Sequence, residues 1–218
     1  CVLGSKPHVC AHHFLMEWEG DAVGAASMNA AVISLFEDFS TAEELNSASH
    51  PSPLLTPRWH HAELVGRLVE ISGSSALTAA MGAVLSAQQQ GEPVAWVSAG
   101  GPLFYPPDVA EGGVDLDALI LVRVQGAEAA ARAGGKLMRS GAFGLVVLDL
   151  GAQHQVPMAL QARLTKLSQK HAAVVLALTE KTDRLASLSS LVSLRCAARR
   201  EWIAADRYRC RVQVLKDK

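Results

Sequence analysis

A strand that runs into a turn of small residues and then a helix is how phosphate sites begin. The first amides of a helix are unpaired, and its dipole is positive at that end. Leu68–Ser72, followed by Gly73-Ser74-Ser75 and a helical stretch, has this form. Leu145-Val146-Val147-Leu148-Asp149, four apolar residues closed by an aspartate, has the form of a strand that holds magnesium. Each feature is weak alone, because any layered α/β fold supplies apolar strands with polar ends. Cys1, Cys10, His12 and His13 are of zinc-ligand type, but Cys-x8-Cys-x-His-His is not an established ligand spacing. The serines at Gly73-Ser74-Ser75 and Ser98-Ala99-Gly100-Gly101 sit in strand-end turns, and neither turn has the Gly-x-Ser-x-Gly form of a hydrolase elbow. His60 and His61 lie beside Trp59 and suit packing or a surface turn.

The elements that must position these residues follow from hydrophobic patterning. Short apolar runs predict strands at Leu68–Ser72, Val94–Ser98, Leu119–Val124, Leu145–Asp149, Ala173–Thr179, Val192–Ala198 and Tyr208–Leu215. Helical stretches, Ala76–Gln90, Ala127–Arg139 and Pro157–Lys170, lie among the first five. Continuous apolar strands separated by helices predict an α/β fold, a mostly parallel sheet with helices on both faces. The last two strands have a short connection and are expected to form an antiparallel hairpin at the sheet edge. Before them, Ala30–Phe39 is expected as a short helix, and Asn46–Trp59 reads as a linker with Pro51, Pro53 and Pro57 among serines. The expected division is an N-terminal arm and linker over 1–63, partly disordered, and a core over 64–218. The chain begins at Cys1, and Met16 and Met28 are candidate starts; ordinary globular composition sets in after Met28.

Composition bounds the function classes. The 218 residues are half apolar and 19% charged, enough for one sizeable core and unlike a disordered chain. No apolar run approaches the roughly 18 residues that span a bilayer. Four scattered cysteines make no disulfide scaffold, and residues 1–27 lack the order of a secretory signal, so a cytoplasmic protein is expected. The net charge is −1, so a nucleic-acid surface has to be local.

Together with the residues around them, the two phosphate-site features resemble the core of the RecA recombinase superfamily. The resemblance begins at Gly66-Arg67-Leu68-Val69-Glu70-Ile71-Ser72-Gly73 and continues through Gly91–Ala99 and Gly113-Val114-Asp115-Leu116-Asp117-Ala118-Leu119. It then passes Arg139-Ser140-Gly141-Ala142-Phe143 and ends at Arg211-Val212-Gln213-Val214-Leu215-Lys216. It covers most of 64–218, in order and with sensible spacing, and implies a RecA-like fold.

The family's chemistry does not carry over. Its phosphate loop needs a lysine at the β/γ-phosphates, and this chain has none between Lys6 and Lys136. The loop is also about three residues short, so Ser75-Ala76-Leu77 or Thr78-Ala79-Ala80 stands where glycine, lysine and threonine would sit. The family's catalytic glutamate matches Gly100, and its glutamine sensor of the γ-phosphate matches Glu180. Losing such charges costs orders of magnitude in rate. Gly73, Ser74, Ser75 and Asp149 are therefore expected to be a vestigial nucleotide site, with no catalytic residue, metal or cofactor. The two segments that hold the family's mobile DNA loops, Gly151–Val156 and Glu180–Ser190, are cut back.

From Arg195 to Lys218 the tail carries eight basic and three acidic residues. Alternation places Arg207, Arg209 and Arg211 on one strand face. With Arg199 and Arg200 they are the candidate DNA or partner contact, salt-sensitive and independent of base sequence; a charged edge strand that resists association explains the stripe as well. Leu103-Phe104-Tyr105-Pro106-Pro107 and the tryptophans Trp18 and Trp59 suit core packing or a docking surface.

The pattern leans toward the ImuA-like accessory proteins of translesion mutagenesis. That resemblance implies RecA or a Y-family-polymerase-like protein as partner, with weak DNA binding and no small-molecule substrate. The expected function is a non-catalytic accessory role in bacterial DNA repair and SOS translesion mutagenesis. The alternatives are a SulA-like inhibitor of cell division and a divergent RecA-family protein that binds ATP and DNA.

Overall fold

The computed structural model describes residues 14–19, 31–34, 59–100, 104–152, 154–204 and 207–218. Its elements are β1 (Phe14–Glu19), β2 (Ala31–Ser34), α1 (His61–Leu64), β3 (Leu68–Ser72), α2 (Ala76–Gln89), β4 (Val94–Ser98) and α3 (Pro106–Glu111), then β5 (Leu119–Arg123), α4 (Ala127–Ser140), β6 (Leu145–Asp149), α5 (Met158–His171), β7 (Val174–Thr179), β8 (Leu194–Ala204) and β9 (Arg207–Asp217). One sheet orders them β2-β1-β9-β8-β3-β7-β6-β4-β5.

From β8 to β5 all neighbours are parallel. β3, β4 and β7 are buried along their whole length, as strands covered on both faces must be. Alternate residues feed two cores. Val69, Ile71, Trp96, Val147 and Leu176 join Trp59, Leu64 and the apolar side of α2 on one face. Leu68, Ala95, Val97, Val146, Leu148 and Val175 meet α4 and α5 on the other. The approach of α4 is close: a Cβ on Gly134 would lie 2.7 Å from Leu148 Cδ2. The core reaches back to Trp59, whose indole N–H donates to the Ala79 carbonyl at 2.8 Å. His61 is buried too, with Nε2 3.0 Å from the Gly144 carbonyl.

The predicted strands and the three long helices stand where the apolar runs put them, with the hairpin strands longer than expected. β8 and β9 pair antiparallel, and β1 runs parallel to β9 along Tyr208–Gln213, so the sheet continues past the hairpin. The helix expected over Ala30–Phe39 is overturned: Ala31–Ser34 is a strand, antiparallel to β1. Val32 and Ile33 are β-branched and suit a pleated strand better than an isolated short helix. Cys1, Cys10, His12, His13, Met28 and the linker before Trp59 lie outside the described residues.

Candidate functional site

The loop between β3 and α2 consists of Gly73, Ser74 and Ser75, and its groups are turned to the β8–β9 hairpin. Gly73 holds φ +105°, and a Cβ there would stand 2.3 Å from the Ala198 carbonyl oxygen. The Ser75 amide donates to that same carbonyl at 3.1 Å, and the Arg200 amide donates to Ser74 Oγ at 3.2 Å. The Ser75 carbonyl in turn accepts from the Ala79 amide at 3.0 Å and from Cys210 Sγ at 3.7 Å. In a working phosphate loop the amides point at the anion. Here the Ser75 amide is spent on β8, and Ala198 presents a carbonyl oxygen, which repels phosphate, against Gly73.

Asp149 closes β6 beside Ser98 of β4, the placement its sequence form predicts. Burial pushes its carboxyl above the usual carboxylate range; the Trp96 indole opposes this, the nearby Glu180 charge adds to it, and the Gly151 amide opposes it. The Glu180 amide donates to the Gly151 carbonyl at 3.0 Å, so the connections after β6 and β7 meet here. Gly100 has Gln125 Oε1 2.8 Å from where its Cβ would stand. Among the described residues no group of three or more His, Cys, Asp or Glu could hold a metal ion.

The five arginines of the candidate contact are not one stripe. Arg199 faces Arg211 across the hairpin, and Glu201 faces Arg209. By alternation these share one face, while Arg200 lies on the other with Ala198, Cys210 and Val212, the face packed on α2. Arg199 is ion-paired with Asp183, and Arg211 with Glu201 at 3.1 Å. Two of the positive charges are thus balanced locally. The Arg207 side chain lies outside the described residues. Cys196 on β8 and Cys210 on β9 are both buried and reduced; they stand opposite Val214 and Arg200, not opposite each other.

Sequence reasoning missed the group that organises the connection from β7 to β8. Glu70, fully buried on β3, is 2.8 Å from Lys181 Nζ and accepts from the Leu188 amide at 2.7 Å and from Thr179 Oγ1 at 3.3 Å. Arg195, also buried, donates to the carbonyls of Leu185 and of Thr182, the latter at 3.1 Å. Ser189 Oγ donates to Gln161 Oε1 at 2.6 Å, and Lys218 Nζ to the Ser190 carbonyl at 3.0 Å. The segment is tied down along its length. The available signal was a glutamate inside an otherwise apolar strand, Leu-Val-Glu-Ile, which calls for a buried counter-charge. The aromatic segment after β4 divides its roles: Phe104 packs edge-on against Trp96, ring centres 5.3 Å apart, while Tyr105 is exposed.

Fold and site together define an α/β protein with a mostly parallel sheet, flanking helices and an antiparallel C-terminal strand pair, whose loop after β3 is closed by β8. No family model matches the chain. Part of it is similar to Protein RecA of Nocardioides sp. (strain ATCC BAA-499 / JS614), 42% identical over 88 residues, which are 38% of this chain and 25% of that protein. The chain thus matches a quarter of the length of that RecA, a RecA-like relationship over the matched part. Among solved structures it is similar to SulA from Pseudomonas aeruginosa, with a TM-score of 0.43 and 17% identity over 51% of this chain and 96% of that one. No helix among the described residues is long and apolar enough to cross a membrane.

Proposed function

We propose that this chain is a non-catalytic RecA-like accessory protein of bacterial DNA repair, working in SOS-linked translesion synthesis by docking on RecA or on a Y-family-polymerase-like protein. The observation that supports it best is the hydrogen bond from the Ser75 amide to the Ala198 carbonyl. It spends on protein an amide that an ATPase of this family turns to phosphate, in a loop that also lacks the lysine. Phosphoryl transfer relies on positioned charge for nearly all of its acceleration. A fold kept without those charges suits recognition better than turnover.

Weak, sequence-independent DNA contact falls to Arg199, Arg200, Arg207, Arg209 and Arg211. With Arg199 and Arg211 already paired to carboxylates, few phosphates are neutralised, and the dependence of affinity on salt is shallow.

The test is capture of purified RecA and of a Y-family polymerase by the full chain, with and without ATP, alongside an assay of phosphate release. Capture without nucleotide and no ATP hydrolysis are expected. Capture that requires ATP, or hydrolysis abolished by Asp149→Asn, overturns the proposal.

A further inference from the structure

β5 is the last strand of the sheet. It pairs with β4 on one side and, among the described residues, with no strand on the other. Its sequence, Leu119-Ile120-Leu121-Val122-Arg123, is apolar up to the final residue. Ile120 is 49% exposed and Leu121 44%, and neither belongs to either core. Ile120 lies beside Ala95 on the α4 side of the sheet and Leu121 beside Trp96 on the α2 side. Both faces of the strand are therefore apolar at its outer edge.

The backbone is open along the same edge. The Val124 amide donates to the Ser98 carbonyl of β4 at 3.0 Å. By alternation the amides of Ile120 and Val122 also face β4, while those of Leu121 and Arg123 face outward. The Leu119 amide folds back on the Leu116 carbonyl at 3.3 Å, so Leu119 offers the edge its carbonyl alone. Leu119 to Val122 carry none of the charges or prolines that blunt an edge, and such an edge accepts another strand.

Charge selects which strand. Asp117 stands in the turn that enters β5, and Arg123 ends it; both are exposed, and among the described residues neither side chain has an ion pair. Arg123 is the only lysine or arginine between Arg67 and Arg132. The other charges near it in sequence are acidic. Glu111 closes α3, Asp115 accepts from the amides of Asp117 and Ala118 at 2.9 and 3.3 Å, and Glu128 is paired with Arg132. The edge is thus acidic where it begins and basic where it ends. An antiparallel copy related by a two-fold axis sets the acidic start of each strand beside the basic end of the other, twice over. A parallel copy would set like charges side by side.

We infer that β5 is an interface between two copies of this chain, paired antiparallel edge to edge so that their sheets run on as one. The outward amides of Leu121 and Arg123 donate across it, Ile120 and Leu121 are covered, and Asp117 meets Arg123 of the other copy. The inference does not depend on the docking partners proposed above.

Sedimentation of the full chain from micromolar to submillimolar concentration tests it. A dimer is expected, with slower amide exchange at Leu121 and Arg123 than in dilute protein. Asp117→Arg and Arg123→Asp should each weaken dimerisation about tenfold, because two cross-strand pairs turn repulsive at once. Mixed in equal amounts, the two variants should associate again, as should the chain carrying both substitutions. Both positions are exposed, so the thermal melts should match the parent's. A monomer throughout, a dimer indifferent to either substitution, or variants that stay apart when mixed each overturn the interface. Protection of the Leu121 and Arg123 amides in the monomer means that another part of the chain covers β5, and overturns it too.

Discussion

Glu70 and Lys181 meet at 2.8 Å inside the protein, with side-chain exposures of 0% and 4%. They come from the central strand β3 and from the start of the connection between β7 and β8. Two charges are taken out of water there, a loss repaid only when geometry is good and the remaining hydrogen-bonding positions are filled. For Glu70 they are filled, by Thr179 and by the Leu188 amide. The pair makes the start of this connection part of the core.

Removing one partner therefore leaves a buried charge without its counter-ion. Lys181→Met is expected to cost about 3–5 kcal/mol in urea unfolding. Glu70→Gln combined with Lys181→Met should recover part of that loss. Amide exchange over 180–190 should quicken in Lys181→Met before the strands are affected. Unchanged exchange there means the ion pair does not hold the connection.

Gly73→Ala tests the closed loop. The new methyl would overlap the Ala198 carbonyl oxygen, at a φ of +105° that side chains rarely adopt. Strain and overpacking together predict a loss of about 2–4 kcal/mol by denaturant titration. A neutral effect shows that β8 stands off from the loop in solution.

Asp149 gives a pH signature of known sign. Its carboxyl titrates higher in the folded protein than the 3.8 of a free side chain, so the native state holds the proton more tightly than the unfolded chain. Its ionisation therefore disfavours the fold, and this contribution grows as pH rises from 3.8 through the raised folded value. Asp149→Asn removes it. The variant's stability relative to the parent should increase with pH across that window and then level off; a parallel pair of curves contradicts the assignment.

The two hairpin thiols should be inert until the protein opens. Burial pushes Cys210 up to about 12 and Cys196 higher still, so neither supplies thiolate at neutral pH. Iodoacetamide labelling mapped by mass spectrometry should mark both only at the rate of unfolding. Fast labelling of Cys210 in the native state means the hairpin lifts from α2.

Trp59→Ala is expected to cost about 3–5 kcal/mol, the range for a large aromatic deleted from a core. The loss would be that of a core contact, because Trp59 is buried against α2 and its indole donates to the Ala79 carbonyl.

Much of the fold was legible because its parallel strands are short, continuous apolar runs. Leu145–Asp149 and Val94–Ser98 are bounded by polar residues and separated by helix-length stretches, so their ends fall where burial ends. Local sequence failed at Ala31–Ser34: four residues have no period to read, and a strand there depends on its pairing with Phe14–Glu19. The absence of lysine between Lys6 and Lys136 was legible too, since it is a matter of residue type.

The bonds that tie the loop after β3 to β8 were not legible. Ser75 and Ala198 are far apart in the chain, and only the pairing of β3 with β8 brings them together. The same holds for Glu70 and Lys181, and for the arginines: alternation put Arg207, Arg209 and Arg211 on one face, but the acids that neutralise Arg199 and Arg211 come from the β7–β8 connection and from β8. Residue types and their spacing thus determined the elements and the lack of lysine near the loop after β3. The tertiary structure alone decided which polar groups meet, because hydrogen bonds and ion pairs depend on ångström-scale distances that close only when the sheet is assembled.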